Sequence, residues 1–174
     1  MNTQRLSLRP PTLGDLDAVL SIHGDPATNR FNPAGPMRDL GAARSMLAEW
    51  QAAWQRDGIG YWIAHRLSTG QLIGFGGVMR RAWHGREIAN LYYRLTPSAW
   101  GNGYALELAR AAMAQAQLAL PGLPVVVRTR PGNAGAIRVA ERAGLSRRPD
   151  LDDDDLVFAL GWNSGYAEPP SSRT

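Results

Sequence analysis

The sequence predicts an α/β (α+β) domain in which helices cover one mixed sheet. Two observations carry this. Short apolar segments bounded by turn residues alternate with stretches that repeat apolar residues at helical spacing. Their order is β-α-α-β-β-β-α-β-α-β. Several consecutive strands followed by a βαβαβ run point to a mixed sheet, not to the strict alternation of a doubly wound fold.

The elements follow in chain order. Residues 4–9 alternate, with Leu6 and Leu8 on one face, and read as the first strand. Thr12 and Asp15 have the spacing of a capping box that opens a helix through about His23. Residues 24–36 are rich in Asp, Asn, Pro and Gly and read as loop. A second helix spans 40–57: Ala43, Met46, Leu47, Trp50 and Trp54 share a face, and Gly58 closes it. Strands at 61–67 and 71–79 flank a Ser-Thr-Gly turn, and a third covers 88–95 after a loop at 81–86. A Gly-containing loop then leads into a helix over 104–120, ended by Pro121, Gly122 and Pro124. Residues 125–130 read as a buried strand. Residues 133–143 read as a helix with Asn133 at its N-cap and Gly144 beyond its end, and 156–160 as the final strand.

At 174 residues the chain is expected to hold one domain, residues 1–162, with a polar, Pro/Ser-rich flexible tail at 163–174. Apolar content of 44% and charged content of 20% are ordinary for a globular protein. No apolar run approaches the ~18 residues of a membrane span, and the start of the chain lacks the apolar core of a signal peptide. With no Cys there is no disulfide, thiol nucleophile or thiolate metal site, and a cytoplasmic location is expected. All 19 basic residues are Arg and the net charge is +4. Nucleic acid would suit Arg, but these are scattered, with no basic run interleaved with aromatics, so no nucleic-acid partner is expected.

The chemistry concentrates at residues 90–106. A strand that ends in a Gly loop and enters a helix aims free backbone N–H groups at one point, which suits a phosphate or pyrophosphate. Here the loop is Trp100-Gly101-Asn102-Gly103-Tyr104-Ala105. There is no third glycine, which argues against a dinucleotide fingerprint, and no Gly-Lys-Ser/Thr, which excludes a nucleotide P-loop. Taken alone, the loop is equally a tight turn.

The motifs in order are Tyr93-Arg94-Leu95-Thr96-Pro97, the loop Trp100 to Ala105, a long helix, Asn133 to Ala136, and Glu141-Arg142-Ala143-Gly144-Leu145. This order resembles the GCN5-related N-acetyltransferases (GNAT), in particular the branch that modifies ribosomal-protein N-termini. The opening Leu8-Arg9-Pro10 is similar too, and the likeness covers about residues 4–162. It implies a central sheet of about six to seven strands, helices on both faces, and a splay at the strand bearing residues 90–95. Acetyl-CoA would lie in the splay and no metal is implied. Backbone at Tyr93 and Leu95 would pair with its pantetheine. Trp100, Gly101, Asn102, Gly103, Tyr104 and Ala105 would cradle its pyrophosphate. Asn133 would bond the cofactor arm and Arg142 a phosphate, although an N-cap and a solvated helix face are equally natural for those two. The implied partner is an amine acceptor, either a protein N-terminus or a small molecule, and the implied assembly a monomer or homodimer.

The resemblance implies direct attack of a neutral amine on the thioester, with a backbone N–H near Tyr93 as oxyanion donor. The chain departs from the family where relatives place acids and bases: Ala136 stands for Ser, Ala140 for Tyr, and Asn90 for Glu on the central strand. Glu87 is the first substitute for a base and His84 the second, so the catalytic candidates are Glu87, Asn90 and Tyr93. The same loss motivates the alternative of a non-catalytic acyl-CoA-sensing domain. Five Asp within 150–155 fail the calcium-loop pattern and read as a solvated turn or as an acidic lip for a cationic amine. Trp50, Trp54 and Trp62 read as core, and Gly74 to Gly77 as a strand packed closely on a helix.

Overall fold

The structure, a computed structural model, describes residues 1–163. The tail expected at 163–174 therefore lies, beyond its first residue, outside the described residues. Seven strands form one sheet: β1 (Leu6–Arg9), β2 (Tyr61–Arg66), β3 (Leu72–Trp83), β4 (Arg86–Leu95), β5 (Val125–Thr129), β6 (Ser146–Arg147) and β7 (Leu156–Leu160), in the order β1-β2-β3-β4-β5-β7-β6. All neighbours are antiparallel except β4 and β5, so the sheet is mixed. Helices α1 (Leu16–Gly24) and α2 (Leu40–Asp57) lie on one face. There Val19, Ile22, Leu47 and Trp50 pack on Ile63, Phe75 and Met79. Helices α3 (Tyr104–Ala119) and α4 (Ala134–Ala143) lie on the other, where Leu108, Ala112 and Ala140 pack on Val78, Leu91 and Phe158.

Local chemistry explains the boundaries. Asp39 caps α2 by accepting from the Ala42 N–H at 2.8 Å, and Gly58 closes it at φ 65°, a left-handed conformation that suits glycine. The Thr12 N–H and hydroxyl both donate to Asp15 Oδ2, at 2.7 and 2.9 Å, but the first turn is 3-10 (Leu13–Asp15) before α1 begins. Asp15 is buried and paired with Arg9 at 2.5 Å.

Two expectations are corrected. The loop at 81–86 is only a two-residue turn, His84-Gly85, with both φ positive (47° and 70°), as a tight hairpin demands. β3 and β4 extend to meet it because cross-strand polar pairing, Arg80 to Glu87 at 2.6 Å, replaces apolar alternation at the hairpin tip. The acidic run at 150–155 is not a free acidic lip. Arg148 pairs with Asp150 at 2.6 Å, Arg128 with Asp153 at 2.8 Å, Arg130 with Asp155 at 3.3 Å, and Arg147 with Asp152. Those arginines leave little field to attract a distant cation.

Candidate functional site

β4 and β5 pair at just two positions, Ala89 with Val125 and Asn90 with Val126. Beyond Asn90 the strands part. The Ala89 N–H donates to the Pro124 carbonyl beside β5, whereas the Thr96 N–H donates to the Ile73 carbonyl beside β3. Alternation along the strand therefore turns the backbone of Leu91, Tyr93 and Leu95 toward the gap, and that of Tyr92 and Arg94 toward β3. The Leu91 N–H completes the Asn90–Val126 pairing and the Leu95 carbonyl is engaged by Trp100 Nε1 at 2.8 Å, so the Leu91 carbonyl, Tyr93 and the Leu95 N–H remain for a ligand in the gap.

The Gly loop sits at the end of that gap. Gly101 (φ 74°) and Gly103 (φ 78°) both take the left-handed conformation, and no side chain caps α3. Its first-turn N–H groups and positive dipole end are thus available to an anion. The Asn102 side chain folds back onto the Trp100 carbonyl at 2.8 Å. From the first strand's edge Arg5 reaches across: Nη1 donates to the Asn102 carbonyl at 2.8 Å, and the guanidinium lies 4.8 Å from the Tyr104 ring centroid. Glu107, one turn into α3, holds this arrangement by accepting from Thr3 Oγ1, the Arg5 N–H and Arg5 Nε at 2.5–2.7 Å.

On the opposite face of β4 lies a pocket of about 470 Å³ beneath α1, α2 and the loop between them. Its polar floor comes from Tyr61 on β2, Arg81 on β3, and Tyr92 and Arg94 on β4, faced by His23 and Asn29. Met37, Met46 and Trp50 supply the apolar wall. Tyr61, with its hydroxyl at 2.7 Å from Asn90 Nδ2, is pushed up to about 12 by burial. Burial likewise raises Tyr92 and Tyr93, so all three phenols stay protonated. Burial, with the Arg94 charge nearby, pushes His23 down to about 4. The Val19 carbonyl lies 3.0 Å from His23 Nδ1 and accepts only, so Nδ1 carries the proton and Nε2 accepts from the Tyr92 hydroxyl at 2.8 Å.

The expected residues divide. Tyr93 and Leu95 turn backbone toward the gap, and the loop from Trp100 to Ala105 follows from the end of β4 and leads into α3. Asn90 is at the point where the strands part. Tyr93 presents backbone there, while its hydroxyl donates to the Ala136 carbonyl at 3.3 Å on α4. Asn133 is the N-cap of α4, its Oδ1 accepting from the Ala136 N–H at 3.2 Å. Arg142 is exposed on α4, and its carbonyl accepts from Arg110 Nη2. Glu87 is not brought to the site: it is exposed, bonded to Arg80, on the face away from the pocket and roughly 20 Å along β4 from Tyr93. His84 sits at the hairpin tip against Trp83. His23, Asn29, Tyr61 and Arg94 were missed. The one available signal was period two along β4, which puts Asn90, Tyr92 and Arg94 on a single face.

Among the described residues no group of His, Asp and Glu could hold a metal ion, and no helix is long and apolar enough to cross a membrane. Residues 5–146 match the acetyltransferase (GNAT) domain family. YkkB of Bacillus subtilis (strain 168) is 33% identical over 101 residues, which is 56% of this chain and 59% of YkkB. The chain thus spans somewhat under two thirds of this curated relative. An acetyltransferase of Agrobacterium tumefaciens is 28% identical and superposes with a TM-score of 0.79, covering 92% of each chain. YncA of Salmonella typhimurium, solved with acetyl-CoA, shares the fold at 16% identity, with a TM-score of 0.71 over 96% of this chain and 99% of YncA.

Proposed function

We propose, from the premise that this chain belongs to the GNAT acetyltransferase family, that it moves the acetyl group of acetyl-CoA to the nitrogen of a primary amine. The acceptor is a protein N-terminal α-amine or a small-molecule amine. The observation that carries this reading is the gap between β4 and β5, with unpaired strand backbone along one wall and the uncapped end of α3 at its mouth. The pantetheine arm would complete the sheet along Leu91 to Leu95, and the pyrophosphate would take the N–H groups of Gly101 to Ala105. The Nδ2 of Asn133 would bond the arm, leaving its Oδ1 at the cap, and Arg142 would meet a phosphate from α4.

In the transfer the amine nitrogen bonds to the acetyl carbonyl carbon and the carbon–sulfur bond breaks. CoA leaves as thiolate and is protonated by the proton the nitrogen sheds, so the products are the acetamide and the CoA thiol. The Tyr93 N–H, facing the gap, donates to the developing oxyanion. No side chain in the pocket serves as a strong base: His23 Nε2 is engaged by Tyr92 and Glu49 by Arg81. Partial burial against Met37, Met46 and Trp50 penalises the charged form, so the pocket disfavours an ammonium and lowers the pKa of the bound amine. An α-amino group, with a pKa of about 8, then needs only water as proton acceptor.

The test is CoA thiol release from acetyl-CoA over a panel of N-terminal peptides, amino acids, polyamines and aminoglycosides. Acceptor-dependent release supports the reading. Tight cofactor binding by calorimetry with no release on any acceptor would replace it with the acyl-CoA-sensing domain.

A further inference from the structure

If the pocket under α1 and α2 receives the acceptor, as the transferase reading requires, its charges select among amines. Three ionised side chains line it: Glu49, Arg81 and Arg94. Glu49 and Arg81 pair with each other. Arg94 meets no carboxylate among the described residues. Its Nη1 donates to Asn29 Oδ1 at 2.5 Å, and Asn29 is itself buried and fixed, its Nδ2 donating to the His23 and Asp25 carbonyls at 2.7 and 2.8 Å. The remaining titratable groups, His23, Tyr61 and Tyr92, are uncharged at neutral pH. The pocket therefore carries one positive charge held in place by a neutral partner.

We infer that the acceptor amine carries a carboxylate, which Arg94 binds while the nitrogen faces the thioester beside Tyr93. A guanidinium presents five N–H donors in a planar fork that matches a carboxylate with two parallel bonds, and the groups that meet it, Asn29 Oδ1 and the Tyr92 hydroxyl, are both uncharged. The placement fits, because Tyr93 and Arg94 are adjacent on β4 yet face different compartments. The backbone of Tyr93 faces the cofactor gap and the side chain of Arg94 faces the acceptor pocket. An amine that bridges the two needs its nitrogen and carboxylate only a short skeleton apart. Met37, Met46 and Trp50 leave an apolar wall for that skeleton. A polyamine or aminoglycoside would instead place a second cation against Arg94. Two sources share the required chemistry: a free amino acid, and a peptide whose N-terminal residue is Asp or Glu.

The experiment compares kcat/KM for amines of matched skeleton with and without the carboxylate: leucine against leucinamide, and peptides beginning with Asp or Glu against Asn or Gln. Spermidine and kanamycin complete the panel, and calorimetry follows binding of the same amines to CoA-loaded protein. The expected preference for the carboxylate is about 10- to 100-fold. It should disappear in Arg94→Gln and persist, weakened, in Arg94→Lys. Preference for leucine over the peptides assigns the free amino acid, and the reverse assigns the acidic N-terminus. Equal or better turnover of the uncharged or polycationic amines by wild-type enzyme overturns the inference while leaving the transferase reading intact. Absence of turnover on every amine defeats the transferase reading, and calorimetry then decides the inference. Carboxylate binding dependent on Arg94 upholds it, and no such binding overturns it.

Discussion

The Tyr92 hydroxyl donates to His23 Nε2 at 2.8 Å, and this one bond ties the central strand to the last turn of α1 across the floor of the pocket. His23 stacks on the Phe75 ring at 5.5 Å and is buried as a neutral acceptor. A proton added to the ring would remove the acceptor that Tyr92 requires and place a cation near Arg94.

This makes stability depend on acidity. His23 has an ordinary value of 6.5 and falls to about 4 in the folded chain, so between those values the unfolded chain binds a proton that the folded chain does not. The stabilisation is complete above pH 6.5 and is lost as the pH falls toward about 4, amounting to roughly 3 kcal/mol. Urea midpoints at pH 7, 5.5 and 4.5 check this. His23→Gln should flatten that part of the profile, and an unchanged slope in the variant would reject the assignment.

Glu107 secures the first strand's edge to the Gly loop through Arg5. Burial pushes its carboxyl up, but the bonds from Thr3 and Arg5 outweigh this and hold it below the ordinary range. Glu107→Gln and Arg5→Ala should each loosen the loop and weaken acetyl-CoA binding about 3- to 10-fold by calorimetry, in keeping with the loss of one or two exposed charge-assisted bonds. Wild-type affinity in both variants would mean that the loop holds its shape without the strap.

Gly74 sits at φ 148°, and a Cβ there would lie 2.2 Å from the Arg94 carbonyl and 2.7 Å from Leu95 Cα. Neither backbone atom can yield without moving β4. Gly74→Ala is expected to cost about 1–3 kcal/mol of stability and to displace Arg94 and Leu95 together. A thermal scan reads the first effect. The second appears as reduced kcat/KM in the fraction that remains folded, and a variant indistinguishable from wild type in both would contradict the packing described.

Glu87, the base suggested by position in the chain, is bonded to Arg80 and remote from the pocket. Glu87→Gln should leave kcat within about twofold, since exposed pairs contribute at most ~1 kcal/mol. In wild type, log kcat/KM should climb with pH until the acceptor amine is neutral, with no inflection near the carboxylate range. A tenfold loss of kcat in the variant would restore Glu87 to the mechanism.

Much of this was legible in the chain. The span of α2 follows from the Trp50 and Trp54 stripe and Gly58, while its Asp39 cap shows only in the structure. The Gly loop was readable because Gly101 and Gly103 are the residues that a left-handed turn before a helix demands. What stayed hidden depends on tertiary approach. Arg94 finds Asn29 sixty-five residues away, and Tyr92 finds His23 sixty-nine away, so no local pattern announces either. The long β3–β4 hairpin escaped because Arg80 and Glu87 hold its tip, and polar pairing leaves no hydrophobic period. The acidic run at 150–155 left both a solvated turn and an acidic lip open because two of its partners, Arg128 on β5 and Arg130 just beyond it, are distant in sequence.

The two-position junction between β4 and β5 also has a mechanical meaning. Strand pairing across the middle of the protein is a short hem joining a four-stranded panel to a three-stranded one. A ligand that laces the open edge from Leu91 to Leu95 acts as a missing strand and turns two panels into one continuous fabric. Amide exchange along that edge should slow when acetyl-CoA is added, and at 100 times Kd the whole fold should gain about 2.7 kcal/mol. With acetyl-CoA bound there as proposed, the donor substrate would double as a structural member, and its supply would set how firmly the enzyme is held together.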